Sequence, residues 1–464
     1  MNSSRLPPQC SAELPTLGRN ARRLVEGLDK HKSLDELFPI VVDMAEELDK
    51  QAIPCASTVK MFTEKDSEQY KQLHILFHTL NRDILRSLVL GTLSYDLWDK
   101  DSNSWQNTYS THSFDAAGSY VMTLSIEGRR GKFLNGKEIG QVRELLDTYE
   151  RCCQAWISHM EEDAYSFNEL SDQQKRDLRE ALLIDNEMLS DKDKWDEEDD
   201  YQQPALLRKT GDGSIKARET IGMLRDQLWA RMNPHDDATY QCSSPSYVGC
   251  SQKMGSRMPS HNPDGRTLAS PSALHRILTS CIRHIGLEVS VKIIPILPVW
   301  EPGQIQLSEV LLTVLAQSMV TVHGLNAIQP GTSSRATIAN VATYNETKEL
   351  VWVKRTWLAE NIRKSLNELL ARDIYERVFE PMVSEDEVKE KMEKVSENVP
   401  NLRALVRELE ELMNEQAYGA KELKERALEA EKFYHRSRGM FPNLPPPSSA
   451  RNDEHFTDFR QSSI

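Results

Sequence analysis

Side chains able to do chemistry are scattered through this 464-residue chain, and few stand at a spacing that lets them act together. His74 and His78 lie four apart, which on a helix puts both imidazoles on one face, as two ligands of one metal require. No H-E-x-x-H surrounds them and no third ligand follows, so ordinary helix histidines are the expectation. Cys242 and Cys250, with His235 and His261 outside them, offer zinc-ligand chemistry, yet they lack the paired C-x-x-C knuckle that holds a zinc site's geometry. Free thiols in a flexible segment are expected there. Gly128-Arg-Arg-Gly131-Lys is a glycine-flanked basic loop that matches neither phosphate-cradling glycine signature and reads as a solvated turn. Gly331, Ser333 and Ser334 have amides able to receive an anion, although a plain loop explains them as well.

The acidic run from Asp191 to Asp200, with Trp195 inside it, lacks the alternating ligand rhythm of an EF-hand and reads as a solvated loop. Basic residues gather late in the chain. Arg335, Lys354, Arg355, Arg363 and Lys364 lie close to Trp352 and Trp357, the mixture of cations and aromatics that tracks single-stranded nucleic acid. The interspersed Glu346, Glu349, Glu360 and Glu368 equally suit a salt-bridged helix face. No G-x-S-x-G, H-E-x-x-H or C-x-x-C occurs, and the twelve histidines are dispersed. No catalytic residue, metal site or cofactor is expected.

Composition narrows the class. A net charge of −14 argues against a surface devoted as a whole to nucleic acid or membrane, though a local basic groove survives that average. Seven cysteines, two of them adjacent at Cys152 and Cys153, make no disulfide framework and fit reduced thiols inside a cell, cytoplasmic or nuclear. The first residues lack the apolar core of a signal peptide, and Val310 to Val322 is too short for a bilayer span. A membrane protein is not expected.

The elements that must position these residues are mainly helical. A helix is expected from near Pro39 to Ile53, and another from Asp66 to Trp98 carrying Tyr70, Leu73, Phe77, Leu80, Ile84 and Leu88. Asn135 with Glu138, and Ser171 with Gln174, are capping boxes that open two more helices. Tyr120 to Ile126 alternates like a strand, though a helix from Ala116 fits too. Around 270–324 a helix stopped by Gly286, a strand from Glu288 to Ile293 halted by Pro295, and a helix after Pro302-Gly303 make a committed core. Leu350 to Val353 is a candidate strand, and Trp357 leads a long helix to Phe379.

These pieces predict a mainly α protein of two helical lobes, 21–232 and 273–381, with minor β in the second, joined by a flexible Pro/Ser/Gly-rich linker over 233–272. A disordered arm over 1–20, a charged helix or short coiled coil over 382–436 and a disordered tail over 437–464 complete the chain. In the charged helix Leu402, Leu405, Leu409 and Leu412 form a leucine seam of nearly two heptads, suited to self-association or to packing on its own domain. In layout, though in no residue motif, the chain is similar to the helical nucleoproteins of negative-strand RNA viruses and to retroelement gag proteins; it lacks the Cys-Cys-His-Cys knuckle of many gag proteins. The function expected is a non-enzymatic intracellular assembly or interaction protein that forms homo-oligomers or meets a helical partner through helical surfaces. The alternatives are a nucleic-acid-packaging nucleoprotein or gag-like capsid protein, and an unrecognised helical enzyme.

Overall fold

The structure, a computed structural model, describes residues 17–51, 53, 55–99, 116–161, 170–189, 194–196, 202–205, 214–233, 236–257, 273–331, 341–379, 393, 404 and 407. It is mainly helical with a three-stranded antiparallel sheet. The helices are α1 (Arg19–Asp29), α2 (Leu34–Asp49), α3 (Ala56–Thr63), α4 (Glu68–His78), α5 (Arg82–Leu90), α6 (Leu93–Asp99), α7 (Gly136–Glu161), α8 (Asp172–Asn186), α9 (Ser214–Ala230), α10 (Met254–Arg257), α11 (Ala273–His284), α12 (Gln304–Leu315), α13 (Val341–Glu349) and α14 (Trp357–Phe379). The strands are β1 (Gly118–Ile126), β2 (Tyr247–Ser251) and β3 (Val289–Pro298), and β1 lies between the other two.

Local chemistry sets several helix ends. Asn135 Oδ1 accepts from the Glu138 N–H at 2.9 Å while the Glu138 carboxylate accepts from the Asn135 N–H at 3.0 Å, so this capping box opens α7. Ser171 and Gln174 do the same for α8. The long helix expected over 66–98 is instead α4, α5 and α6. Asn81 caps α5 through the amides of Asp83 and Ile84, and Gly91 ends it in the left-handed conformation, so two local signals override a continuous apolar stripe. Helix α2 starts five residues before Pro39, because Ser33 caps it by accepting from Glu36 N–H at 3.2 Å. Arg19, assigned from sequence to an arm, begins α1.

The sheet corrects the sequence reading most. The strand expected to halt before the prolines runs on through Pro295 to Pro298. It can do so because β3 is an edge strand, where a missing N–H leaves no gap in the ladder, and a register shift opposite Ser119 and Tyr120 absorbs the irregularity. Part of the segment read as a linker is a strand. Its residues 247–251 are β2, paired with β1 from Gly118↔Ser251 to Met122↔Tyr247. Met1–Pro381 is accordingly one compact unit rather than two lobes divided at 233–272. The candidate strand at Leu350 to Val353 is a single π-helical turn, 350–354, between α13 and α14.

Two large hydrophobic cores do exist among the described residues of this unit, but each joins segments far apart in the sequence. One joins Leu24, Phe38, Phe77 and Leu88 to Leu297, Val310, Leu311 and Leu358. The other joins Ile139, Tyr149, Leu182 and Leu224 to Leu278, Ile282 and Leu325. Strand β1 serves both, with Val121 in the first and Leu124 and Ile126 in the second. Long-range strand pairing brings the two halves of the chain together, and no composition shift can report it. The second unit, Met382–Ile464, has Glu393, Ala404 and Arg407 described, all helical and exposed. No helix among the described residues is long and apolar enough to cross a membrane.

Candidate functional site

The predicted basic residues stand in different settings. Lys354 closes the π turn with its ammonium 3.6 Å from the Glu349 carboxylate. Arg355 is 8% exposed, its guanidinium 4.9 Å from the centre of the Trp357 ring. Arg363 is exposed on α14. Its neighbour Lys364 turns toward α1's end and donates to the His31 carbonyl; burial, then the nearby Arg82, pulls its pKa down. Arg335 lies outside the described residues, as do Leu402, Leu405, Leu409 and Leu412. Ala404 and Arg407 fall between those leucines.

His74 and His78 do share a face of α4, with ring centroids 4.7 Å apart, but they do different work. His74 Nε2 lies 3.4 Å from Asp35 Oδ1 on α2, and its hydrogen bond holds the Asp35 carboxyl below the usual range. The pair lines a cleft of about 340 Å³ with Tyr70, Phe38, Glu36 and Arg372. His78 is 4% exposed. Its Nδ1 must donate to the His74 carbonyl at 2.8 Å, so its Nε2 accepts from the Ser365 hydroxyl on α14 at 3.0 Å. Ser365 in turn accepts from the Asp35 N–H at 3.3 Å. A serine beside a histidine suggests a nucleophile and base. Here Ser365 is 5% exposed and burial pushes His78 down to about 4, which makes it a poor base near neutrality. Among the described residues no group of three or more His, Cys, Asp or Glu side chains is arranged to hold a metal.

Other reactive groups are held inside the fold. The Cys250 thiol donates to Glu309 Oε2 at 3.4 Å, the Gly331 N–H donates to the same oxygen at 3.2 Å, and burial pushes the Glu309 carboxyl up. Tyr149 hydroxyl donates to Asp185, which also accepts from Ala205 N–H at 2.7 Å. Cys152, Cys153, Cys242 and Cys281 are buried free thiols whose pKa burial raises. His235 and His261, the histidines that flank Cys242 and Cys250 in sequence, lie outside the described residues. Arg129 of the glycine-flanked loop makes a two-pronged pair with Glu138 at 2.7 and 2.8 Å and stacks on Tyr240. Trp195, in the acidic run read as solvated, is buried: Asn186 clamps its N–H and C=O at 2.8 Å each.

Both edges of the sheet are closed against a further strand. On β2 the Asn326 side chain accepts from the Val248 N–H at 2.9 Å and donates to its C=O at 2.8 Å, and Leu325 N–H donates to Ser246 C=O. On β3 two prolines remove donors, and Lys292 lies 4.8 Å over the Trp98 ring. What the surface offers instead is helical. Trp229 on α9 is 58% exposed, and the Arg143 guanidinium of α7 stacks 4.1 Å from its ring centre. Along the same pair of helices Arg225 bridges Asp147 at 2.9 Å and Glu150 at 2.7 Å. The sequence reading passed over Trp229. The signal was present, since Ile221, Leu224 and Leu228 mark the buried stripe and Trp229 falls beside it, an aromatic on a polar face.

No known protein family matches the chain, and no curated protein or solved structure is significantly similar to it.

Proposed function

We propose that this protein acts by association, joining copies of itself through the α7–α9 surface centred on Trp229 and Arg143. The observation that carries the reading is the exposed, stacked Trp229–Arg143 pair. Tryptophan and arginine are enriched at interface hot spots: an indole buries a large, stiff surface, and a guanidinium combines stacking with several hydrogen-bond donors. A second copy fits the charge pattern. The face carries Arg143 and Arg225 beside Asp147, Glu150 and Asp226, so a two-fold arrangement sets basic against acidic residues. The closed sheet edges support helix-borne contact over strand addition. The leucine seam at Leu402 to Leu412 is a second proposed contact.

A nucleic-acid-packaging role has less behind it, because Lys354, Arg355 and Lys364 are engaged with Glu349, Trp357 and the His31 carbonyl. The test is charge reversal. Arg143→Glu places like charge against the partner's acidic residues, and light scattering over a concentration series reads the assembly. A variant that assembles as wild type overturns the proposal.

A further inference from the structure

The inner face of α14 is unusual for a docked helix, because its contacts to the helices beneath it are largely polar. Asn361 Nδ2 donates to the carbonyls of His78 and Leu80 at 2.9 and 3.0 Å, capping the end of α4. Ser365 meets His78 and Asp35, as described above. Glu368 accepts from the Ser33 N–H at 2.9 Å at the start of α2, and Lys364 reaches the His31 carbonyl. Residues 361, 364, 365 and 368 repeat at three and four, so they form one stripe. Apolar burial adds Leu358 and the partly buried Ile362. Such a contact is specific, but it depends on the protonation of the group at its centre.

We propose that α14 is an acid-released strap, latched across α2 and α4 through the buried imidazole of His78. A proton arriving at Nε2 converts an acceptor of the Ser365 hydroxyl into a donor and puts a full charge in a site closed to water. No carboxylate bonds that ring among the described residues. On its own helix His74 faces it and opposes a second positive charge; from α2 Asp35 attracts it but is already bonded to His74. From α14 the facing groups, Asn361 and Ser365, are neutral. Farther along, Glu368 is bonded to Ser33, Arg372 acts on Asp35, and Arg82 of α5 adds another cation beside Lys364. The charge is therefore relieved by separating α14 from α4 rather than by a partner within the site.

With His78 near 4 when latched and about 6.5 when open, the open population of α14 grows about thirtyfold between about pH 7.5 and about pH 5. The proposal stands apart from the association reading, since it concerns neither Trp229 nor Arg143. Hydrogen exchange read by mass spectrometry, corrected for intrinsic rate, tests it. Peptides of α14 are expected to lose about thirtyfold in protection on acidification while those of α12 lose less, and His78→Gln, neutral at both pH values, abolishes the difference. Unchanged protection of α14 in wild type, or an equal loss in His78→Gln, overturns the proposal. Should His78→Gln fail to fold, the His78 ring resonances of wild type decide: their titration must coincide with α14 opening, and a midpoint unrelated to it overturns the latch.

Discussion

Asn326 is a side chain acting as a strand. It gives Val248 both hydrogen bonds that a neighbouring β-strand would supply, and it is buried, at 7% exposure. Asn326→Ala leaves an N–H and a C=O of β2 unpaired away from water. Each such group costs about 1–3 kcal/mol, so the pair costs about 4 kcal/mol, a large share of the roughly 5–15 kcal/mol that a domain has in all. Asn326→Asp separates the two bonds: its oxygen still receives the Val248 N–H, while the other oxygen now faces the Val248 carbonyl without a proton to share. Urea unfolding followed by tryptophan fluorescence reads both variants against wild type. The alanine variant is also expected to elute partly as aggregate, because the freed edge templates strand addition. A loss under about 1 kcal/mol with no aggregate would mean that Val248 finds partners elsewhere and that the edge argument is wrong.

Acidification is expected to weaken the fold through His78 and His323, both held near 4 by burial. A histidine pKa depressed on folding contributes stability that is complete above about pH 6.5 and is lost as pH falls toward about 4; at about pH 5 the two together cost about 4 kcal/mol, and a urea midpoint unchanged from neutrality contradicts this. Gly131 has φ +79°, and a Cβ there would lie 2.2 Å from the Ser94 carbonyl oxygen, so Gly131→Ala should destabilise by about 3 kcal/mol or more by thermal melting. Leu405→Asp with Leu412→Asp should shift any oligomer toward monomer in light scattering; no shift assigns the seam to internal packing. If purified protein co-isolates with nucleic acid in a salt-sensitive way, the packaging alternative gains over the association reading.

How legible was this in the sequence? Signals that act over a few residues were readable: the boxes at Asn135 and Ser171, the stop at Gly286, the alternation of Tyr120 to Ile126 and the helix from Trp357 to Phe379. Signals that depend on distant partners were not. Pro295 argued against a strand until β3 was seen to be an edge strand that pairs on one side only. The serines and cysteines at 242–251 looked like linker because β2 needs few aliphatics, its edge being closed by Asn326 and its pairing supplied by β1. Of the candidate residues, the spacing of His74 and His78 correctly placed them on one face, but nothing local announced that Asp35 and Ser365 would divide them. The five cations were found by proximity in sequence, which says little about environment: adjacent Lys354 and Arg355 face a carboxylate and an indole.

The association of this chain is most directly tested by sedimentation equilibrium of wild type and Trp229→Ala. Wild type should self-associate reversibly, and removing the indole should raise the dissociation constant about thirtyfold, the effect of losing roughly 2 kcal/mol at a hot spot. Identical dissociation constants, or a wild-type chain that stays monomeric at every concentration, would contradict the account.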